Sequence, residues 1–363
     1  MPLGLEFRTA LAKARAGEEL TKEDIIDLLK AAPGEEASQL FALADQVRQQ
    51  NMGDEVHLRG IIEFSNYCCN DCYYCGLRRS NKDIKRYRIP REEVLAAAKH
   101  AAELGYGTIV LQSGEDLYYS GAELAEMVAQ IKRIGNFAVT VCVGERSLAD
   151  YQLMREAGAD RYLLKHETAD PQLFSQLRPG TTLQERLERL KWLRELGYQV
   201  GSGNMVGLPG QTMATLADDI LLLKELDVEM AGIGPFIPHH QTPLRDCPPG
   251  DLNLTLKVLA VARLVLPQTH LPATTAVGTL HPRGRQMALG CGANVIMPNL
   301  SPASYRKMYA IYPEKAGSKE DPDESHHKIV SLIKEAGRAV SSGRGDSPKE
   351  KFKYFPGEST GER

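Results

Sequence analysis

VHLRGIIEFSNYCCNDCYYC, residues 56–75, joins an apolar, strand-like run at 56–64 to a loop dense in cysteine. Cys68, Cys72 and Cys75 stand there at C-x3-C-x2-C spacing. An iron-sulfur cube is usually held by four thiolates. A loop that supplies three leaves one iron open, as an open position marks a catalytic rather than a structural zinc. The competing reading is a structural zinc site completed by a distant ligand such as His57 or His100. Zinc ligands usually come as two paired halves, which weighs against it. Cys69 is not expected to join the set, because neighbouring residues rarely aim at the same iron.

Outward from that stretch, strand-like runs alternate with helical ones. Strands are predicted at 56–64, 107–113, 138–144, 161–167, 199–207, 229–236, 271–278 and 294–298. Helices are predicted at 91–104, 122–134, 182–196, 213–226 and 252–264. Eight βα units in series predict an α/β fold, a complete (βα)8 TIM barrel, with reactive residues at strand C-termini and in the loops that follow. The cysteine loop follows the first strand, where such a residue set belongs. Residues 1–52 read as an N-terminal helical extension, in which Thr21 and Asp24 form a capping box ahead of Ile25 and Ile26. Residues 53–313 read as the barrel and 314–363 as a short C-terminal helix, at 324–340, with a charged tail expected to be mobile. Arg344-Gly345-Asp346 in that tail is read as a coincidence of composition.

With 363 residues and 42% hydrophobic content the chain can fill a barrel core, and its net charge of −3 gives no basic field for nucleic acid or anionic membrane. Seven cysteines, four of them within eight residues, suit metal binding in a reducing compartment better than a disulfide framework. No apolar stretch reaches the length of a membrane span. A cytoplasmic protein is expected.

Further candidates lie at the predicted strand ends. Gln112-Ser113-Gly114-Glu115 is a Gly-acid turn at the barrel mouth, where a carboxylate can accept hydrogen bonds from an ammonium; the alternative is a helix cap. Arg161, Leu163, Lys165 and Glu167 share one strand face. If it points inward, Glu167 suits vicinal hydroxyls and Lys165 an anionic substrate; otherwise both are solvated. Arg186 can grip a carboxylate or belong to a solvated helix face with Glu185 and Arg189. Residues 201–210 are rich in glycine but match neither a P-loop nor G-x-G-x-x-G, and they suit a flat adenine or a tight strand exit equally. Met230 either packs on such a ring or fills core. Thr140 and Cys142 share a face, while Thr274, Thr275, Tyr309 and Tyr312 are polar candidates for a pocket. Cys247 and Cys291 read as structural. The basic run Arg78, Arg79, Lys82, Lys85, Arg86, Arg88 and Arg91 reads as a solvated loop that helps bind anions, or as a surface for an acidic electron donor.

A C-x3-C-x2-C loop with Tyr74 before its last cysteine resembles the cluster loop of radical S-adenosylmethionine (SAM) enzymes, where SAM chelates the open iron. Residues 62–66, 74–79, 110–116, 161–169, 205–212 and 232–239, together with 294–299, look more narrowly like the HydE family of FeFe hydrogenase maturases. The resemblance spans about residues 5–313. It implies one 4Fe-4S cluster on Cys68, Cys72 and Cys75, with Tyr74, Glu115, Glu167, Arg186 and Met230 binding SAM. Glu115 would take the SAM amino group, Glu167 the ribose and Arg186 the carboxylate. It further implies a substrate pocket lined by Gln112, Ser113, Thr140, Cys142, Lys165, Thr274, Thr275, Tyr309 and Tyr312, with Lys165 and Cys142 departing from residues common in the family. No cysteine follows Cys291, so a second cluster is not expected. Reductive cleavage of SAM to a 5′-deoxyadenosyl radical, acting in H-cluster assembly on a cysteine-bound Fe(CO)2CN synthon, is the implied activity. The implied partners are an organometallic or small-molecule substrate, other hydrogenase maturation proteins and an electron donor. The rivals are a methylornithine synthase or biotin synthase-like enzyme of the same branch and, in another class, a non-catalytic iron-sulfur carrier.

Overall fold

A computed structural model describes residues 4–353. Its first strand, β1 (Glu55–Ser65), is buried along nearly its whole length, as expected of a parallel strand covered on both faces. Its inward column runs His57, Arg59, Ile61, Glu63, since side chains alternate. Ile61 and Glu63 reach the cavity above, and Arg59 lies below them in the interior. Around β1 the sheet continues through β2 (Thr108–Ser113), β3 (Ala138–Cys142), β4 (Arg161–Leu163) and β5 (Gln199–Ser202). Two short strands, β6 (Met205–Val206) and β8 (Gly234–Pro235), pair with each other at the mouth, while β7 (Met230–Ala231) pairs with β5. On the other flank of β1, β9 (Val295–Ile296) and β10 (Ala339–Val340) pair with it, and every pairing between named strands is parallel. Between β7 and β9 the contact consists of single parallel bridges, Met230 to His270 and Pro272 to Val295.

That gap corrects the strand predicted at 271–278. Pro272 has no N–H to donate, and Leu271 donates instead to the Asn294 side chain at 2.9 Å. From Thr275 the chain turns into the helix Thr275–Leu280. The runs predicted at 199–207 and 229–236 each break into two pieces, β5 with β6 and β7 with β8. Each break falls at a glycine, Gly203 or Gly232.

The helices Leu5–Ala16, Lys22–Leu29 and Glu35–Met52 pack on one another and on the barrel helices Met213–Glu225 and Leu252–Val265. Thr21 and Asp24 form the predicted capping box. The helix predicted at 324–340 ends early, at Glu335, and β10 follows it.

The tail expected to be mobile is docked under the barrel over residues 341–349. Arg344 donates to Asp160 at 2.6 Å, Asp346 accepts from Arg161 at 2.7 Å, and the Gly345 carbonyl accepts from Arg59 at 3.1 Å. Arg59 and Arg161 are both buried. A buried guanidinium needs a carboxylate and carbonyls around it, and this segment brings them. Residues 354–363 of the predicted tail lie outside the described residues.

Candidate active site

At the mouth lies a cavity of about 390 Å³, lined by residues from almost every strand end. Cys68, Cys72 and Cys75 rim it together, and Cys69 is not among the lining residues. The cysteine loop is fastened by its neighbours. Cys69 N–H donates to the Glu115 carbonyl at 2.9 Å, and Gly76 N–H to the Ile311 carbonyl at 2.9 Å. Gly114 permits the contact, since a Cβ there would fall 2.2 Å from the Tyr67 carbonyl oxygen and 2.9 Å from the Cys68 Cβ. Burial, with Glu115 and Cys72 adding to it, pushes the Cys68 thiol up to about 12. Burial also raises Cys72 and Cys75. Thiols of this kind bind through loss of their protons to a metal.

No three or more His, Cys, Asp and Glu side chains among the described residues gather around one point as a single ion requires. Three thiols on a cube bind three different irons and need no such convergence. The zinc alternative loses its outside ligands as well. His57 is at the opposite end of β1, edge-on to His270 with ring centroids 5.1 Å apart. His100 is on the surface, 2.8 Å from Asp323.

Glu115 lies beside this loop, with its carboxylate 3.4 Å from Arg178 and 3.7 Å from Arg186. Gly144, at φ +77°, leaves the space, since a Cβ would come within 1.7 Å of Glu115 Cγ. Arg186 is buried, and its Nη1 donates to the Lys165 carbonyl at 3.0 Å. Its Nε is 2.7 Å from Glu145 but off line for a hydrogen bond, and Nη2, 3.7 Å from Glu115, has no hydrogen-bond partner among the described residues. The solvated-face alternative for Arg186 is therefore wrong. The helix Leu183–Glu195 turns it inward, with donors directed at the mouth.

β4 ends at Leu163, and beyond it Lys165 and Glu167 both line the cavity, 3.4 Å apart. Glu167 holds φ 67°. A left-handed backbone at a residue other than glycine costs energy and recurs at functional sites. Hydrogen bonds hold it there, from Glu167 N–H to the Gly203 carbonyl at 2.9 Å and from Met205 N–H to the Glu167 carbonyl at 3.0 Å.

Tyr74, Gln112, Ser113, Cys142, Met230, Thr274, Thr275, Tyr309 and Tyr312 also line the cavity. Burial and the nearby Glu167 push the Cys142 thiol up to about 12. Thr140 is buried beneath the lining rather than part of it, and its hydroxyl has no partner. Met230 serves both readings. It lines the cavity while its sulfur accepts a hydrogen bond from Arg59 at 2.8 Å.

The charged cavity residues Arg178, Glu63, Lys315 and Arg285 escape the sequence reading. Arg178 donates to Tyr74 Oη at 3.1 Å and lies against Glu115. Burial alone would lower its pKa, but Tyr74, Cys72, Glu115 and Glu167 around it keep it raised and protonated. Glu63 accepts from Lys315 at 2.5 Å and from Asn299 at 2.6 Å. Arg285 is the fourth. Nothing local in the sequence marks these residues, because their partners are brought from distant segments.

Part of the basic run is spent on the cysteine loop and its surroundings. Arg78 pairs with Asp71 at 2.8 Å, Arg86 donates to the carbonyls of Asn66, Leu77, Arg78 and Asn81, and Arg88 grips Asp116 at 2.7 and 2.9 Å. Arg79, Lys82 and Lys85 remain exposed. Cys247 packs against a small apolar cluster that includes Leu177 and Phe236, and Cys291 is buried in the main core.

A parallel barrel sheet whose first strand feeds a three-thiol loop, with a Gly-Glu turn after the second, defines a radical SAM enzyme, and the sequence model of the radical SAM superfamily matches residues 62–223. The chain is 55% identical over 276 residues to the FeFe hydrogenase maturase subunit HydE of Thermotoga maritima, a match covering 76% of this chain and 79% of that one. It therefore belongs to the HydE family. It is also 29% identical to the 3-methylornithine synthase of Methanosarcina acetivorans over 93% of each chain. A crystal structure of methylornithine synthase superposes with a TM-score of 0.80 at 26% identity, covering 92% of this chain and 97% of that one.

Proposed function

We propose that this chain is a hydrogenase maturase that cleaves SAM reductively and uses the radical in assembly of the H-cluster. The observation that carries the reading is the meeting of Cys68, Cys72 and Cys75 with Glu115, Glu167 and Arg186 around one cavity. An iron-sulfur carrier has no need of the second set. Cys68, Cys72 and Cys75 would hold one 4Fe-4S cluster. When bound and reduced, that cluster supplies the electron that splits SAM into methionine and a 5′-deoxyadenosyl radical.

The chain's own residues account for the rest. Glu115 accepts hydrogen bonds from the SAM amino group, and Arg186, whose Nη2 has no hydrogen-bond partner among the described residues, donates to its carboxylate. Glu167, at its constrained backbone angle, accepts from the ribose hydroxyls, while Met230 and the glycine-rich exit of β5 flank the adenine. With SAM and substrate filling the cavity, the lining would limit access of water, so that a reactive intermediate meets the substrate. The bridges at His270 and Pro272 supply the eighth stave, making the barrel a complete (βα)8. The substrate is a cysteine-bound Fe(CO)2CN unit, with Lys165, Thr274, Thr275, Tyr309 and Tyr312 facing it. The exposed Arg79, Lys82 and Lys85 beside the cysteine loop suit an acidic electron donor.

The test is coproduction of the chain with an FeFe hydrogenase in a host lacking its own HydE. Hydrogen evolution is expected with the native chain and not with Cys72→Ser. Failure of the native chain to restore it, while it still loads iron and sulfide, would remove the maturase reading.

A further inference from the structure

Five cationic side chains line the cavity, and four of them face a carboxylate. Lys165 pairs with Glu167, Arg178 and Arg186 share Glu115, and Lys315 pairs with Glu63. Arg285 is the exception. Among the described residues its Nε has no hydrogen-bond partner, and its one hydrogen bond is Nη2 to Thr275 Oγ1 at 3.5 Å. The residue is half-buried with its Nε enclosed; burial pushes its pKa down against the pull of nearby Tyr312 and Glu320, and it opens onto the cavity. Thr274, next to Thr275 in the chain and lining the same cavity, presents a buried hydroxyl without a hydrogen-bond partner among the described residues. Such groups are costly unless a counter-charge and acceptors meet them.

We infer that Arg285, with Thr275 and Thr274, forms a subsite for the carboxylate of the substrate, separate from the Arg186 position assigned to the SAM carboxylate. A planar guanidinium with a free edge matches a carboxylate in two parallel hydrogen bonds, and the threonine hydroxyls can donate to the remaining lone pairs. Lys315 is already neutralised by Glu63 and contributes little to the selection. The inference rests on the proposed function only in naming the amino acid: a cysteine-bound iron unit carries its carboxylate here, and the sulfur and iron extend toward the cluster loop.

The test is calorimetry on the full chain, anaerobically loaded with its cluster and saturated with SAM. L-cysteine is titrated against L-cysteinamide, and L-lysine against L-lysinamide, so that each pair differs at the carboxylate alone. The native chain is expected to prefer the acid. Arg285→Gln lowers that preference about tenfold or more, Arg285→Lys lowers it less, and Thr275→Val weakens it while sparing the guanidinium. An Arg285-dependent preference confined to lysine upholds the subsite and removes the cysteine-based substrate. An equal preference in the native chain and in folded Arg285→Gln overturns the subsite and leaves the proposed function standing. If Arg285→Gln does not fold, an unchanged preference in Arg285→Lys and Thr275→Val overturns it as well. A preference seen without SAM and abolished by SAM assigns the contact to the SAM pocket and overturns it too.

Discussion

Arg178 shows how a residue with no distinguishing sequence context becomes part of a site. It stands between Leu177 and Pro179, past the helix Pro171–Leu177, and nothing in that position announces a buried role. In the fold its guanidinium spans Tyr74 and Glu115, holding the aromatic of the cysteine loop and the carboxylate proposed for the SAM amino group in one arrangement. We expect Arg178→Gln to weaken SAM binding roughly 10- to 100-fold, as for loss of a charged hydrogen bond. Calorimetry on the cluster-loaded chain measures it, and Arg178→Lys should recover part of the loss; equal affinity in all three would show that Glu115 needs no such support. Cys72→Ser should lower bound iron and abolish the visible charge-transfer absorption of the cluster while leaving thermal stability near native. Cys68, Cys72, Cys75, Glu115 and Glu167 were legible because each sits at a fixed offset from a strand end. Arg178, Glu63 and Arg285 were not, because their partners Glu115, Lys315 and Thr275 are 63, 252 and 10 residues away along the chain.

Among the elements, the segment from β10 to Lys349 departs furthest from its sequence. Serine, glycine and charge in alternation read as a solvated tail. The same composition supplies short hydrogen-bonding groups to a barrel floor that carries two buried arginines. Asp346 accepts from Arg161, Gln199 and Arg344, and Lys349 reaches Asp227 at 2.5 Å. We expect Asp346→Asn to destabilise the chain by about 1–3 kcal/mol, the range for leaving a partly buried cation short of its partner, read from urea unfolding. The floor also sets a pH dependence. Burial, helped by Arg59 and Arg161, pushes His57 down to about 4, and burial lowers His270 as well. The unfolded chain then takes up protons at these histidines first, near the ordinary 6.5. Stability is therefore full above that value and falls as pH drops from about 6.5 toward 4. His57→Gln should flatten part of that slope, and an unchanged slope would place the dependence elsewhere. The strand predicted at 271–278 failed for a comparable reason, since its apolar run was visible but its reduction to single bridges at His270 and Pro272 was not.

At the scale of the whole molecule, alternation of apolar runs and amphipathic helices was enough to reach a parallel barrel, and the position of the cysteine loop after β1 fixed which end is reactive. Which polar residues meet in one lining depends on how the strand ends converge, and that became visible only in the cavity; their division between SAM and substrate rests on the family resemblance. The account's central claim is that the three-thiol loop and the Glu115, Glu167 and Arg186 set act together as one SAM-cleaving centre directed at a cysteine-bound iron substrate. The direct measurement is 5′-deoxyadenosine formed by the anaerobically reconstituted chain with reductant and SAM, in the presence of the cysteine-bound Fe(CO)2CN synthon or of lysine. The account predicts cleavage accelerated by the synthon and not by lysine. A cluster-loaded chain that forms no 5′-deoxyadenosine, or one that turns lysine into methylornithine, would contradict it.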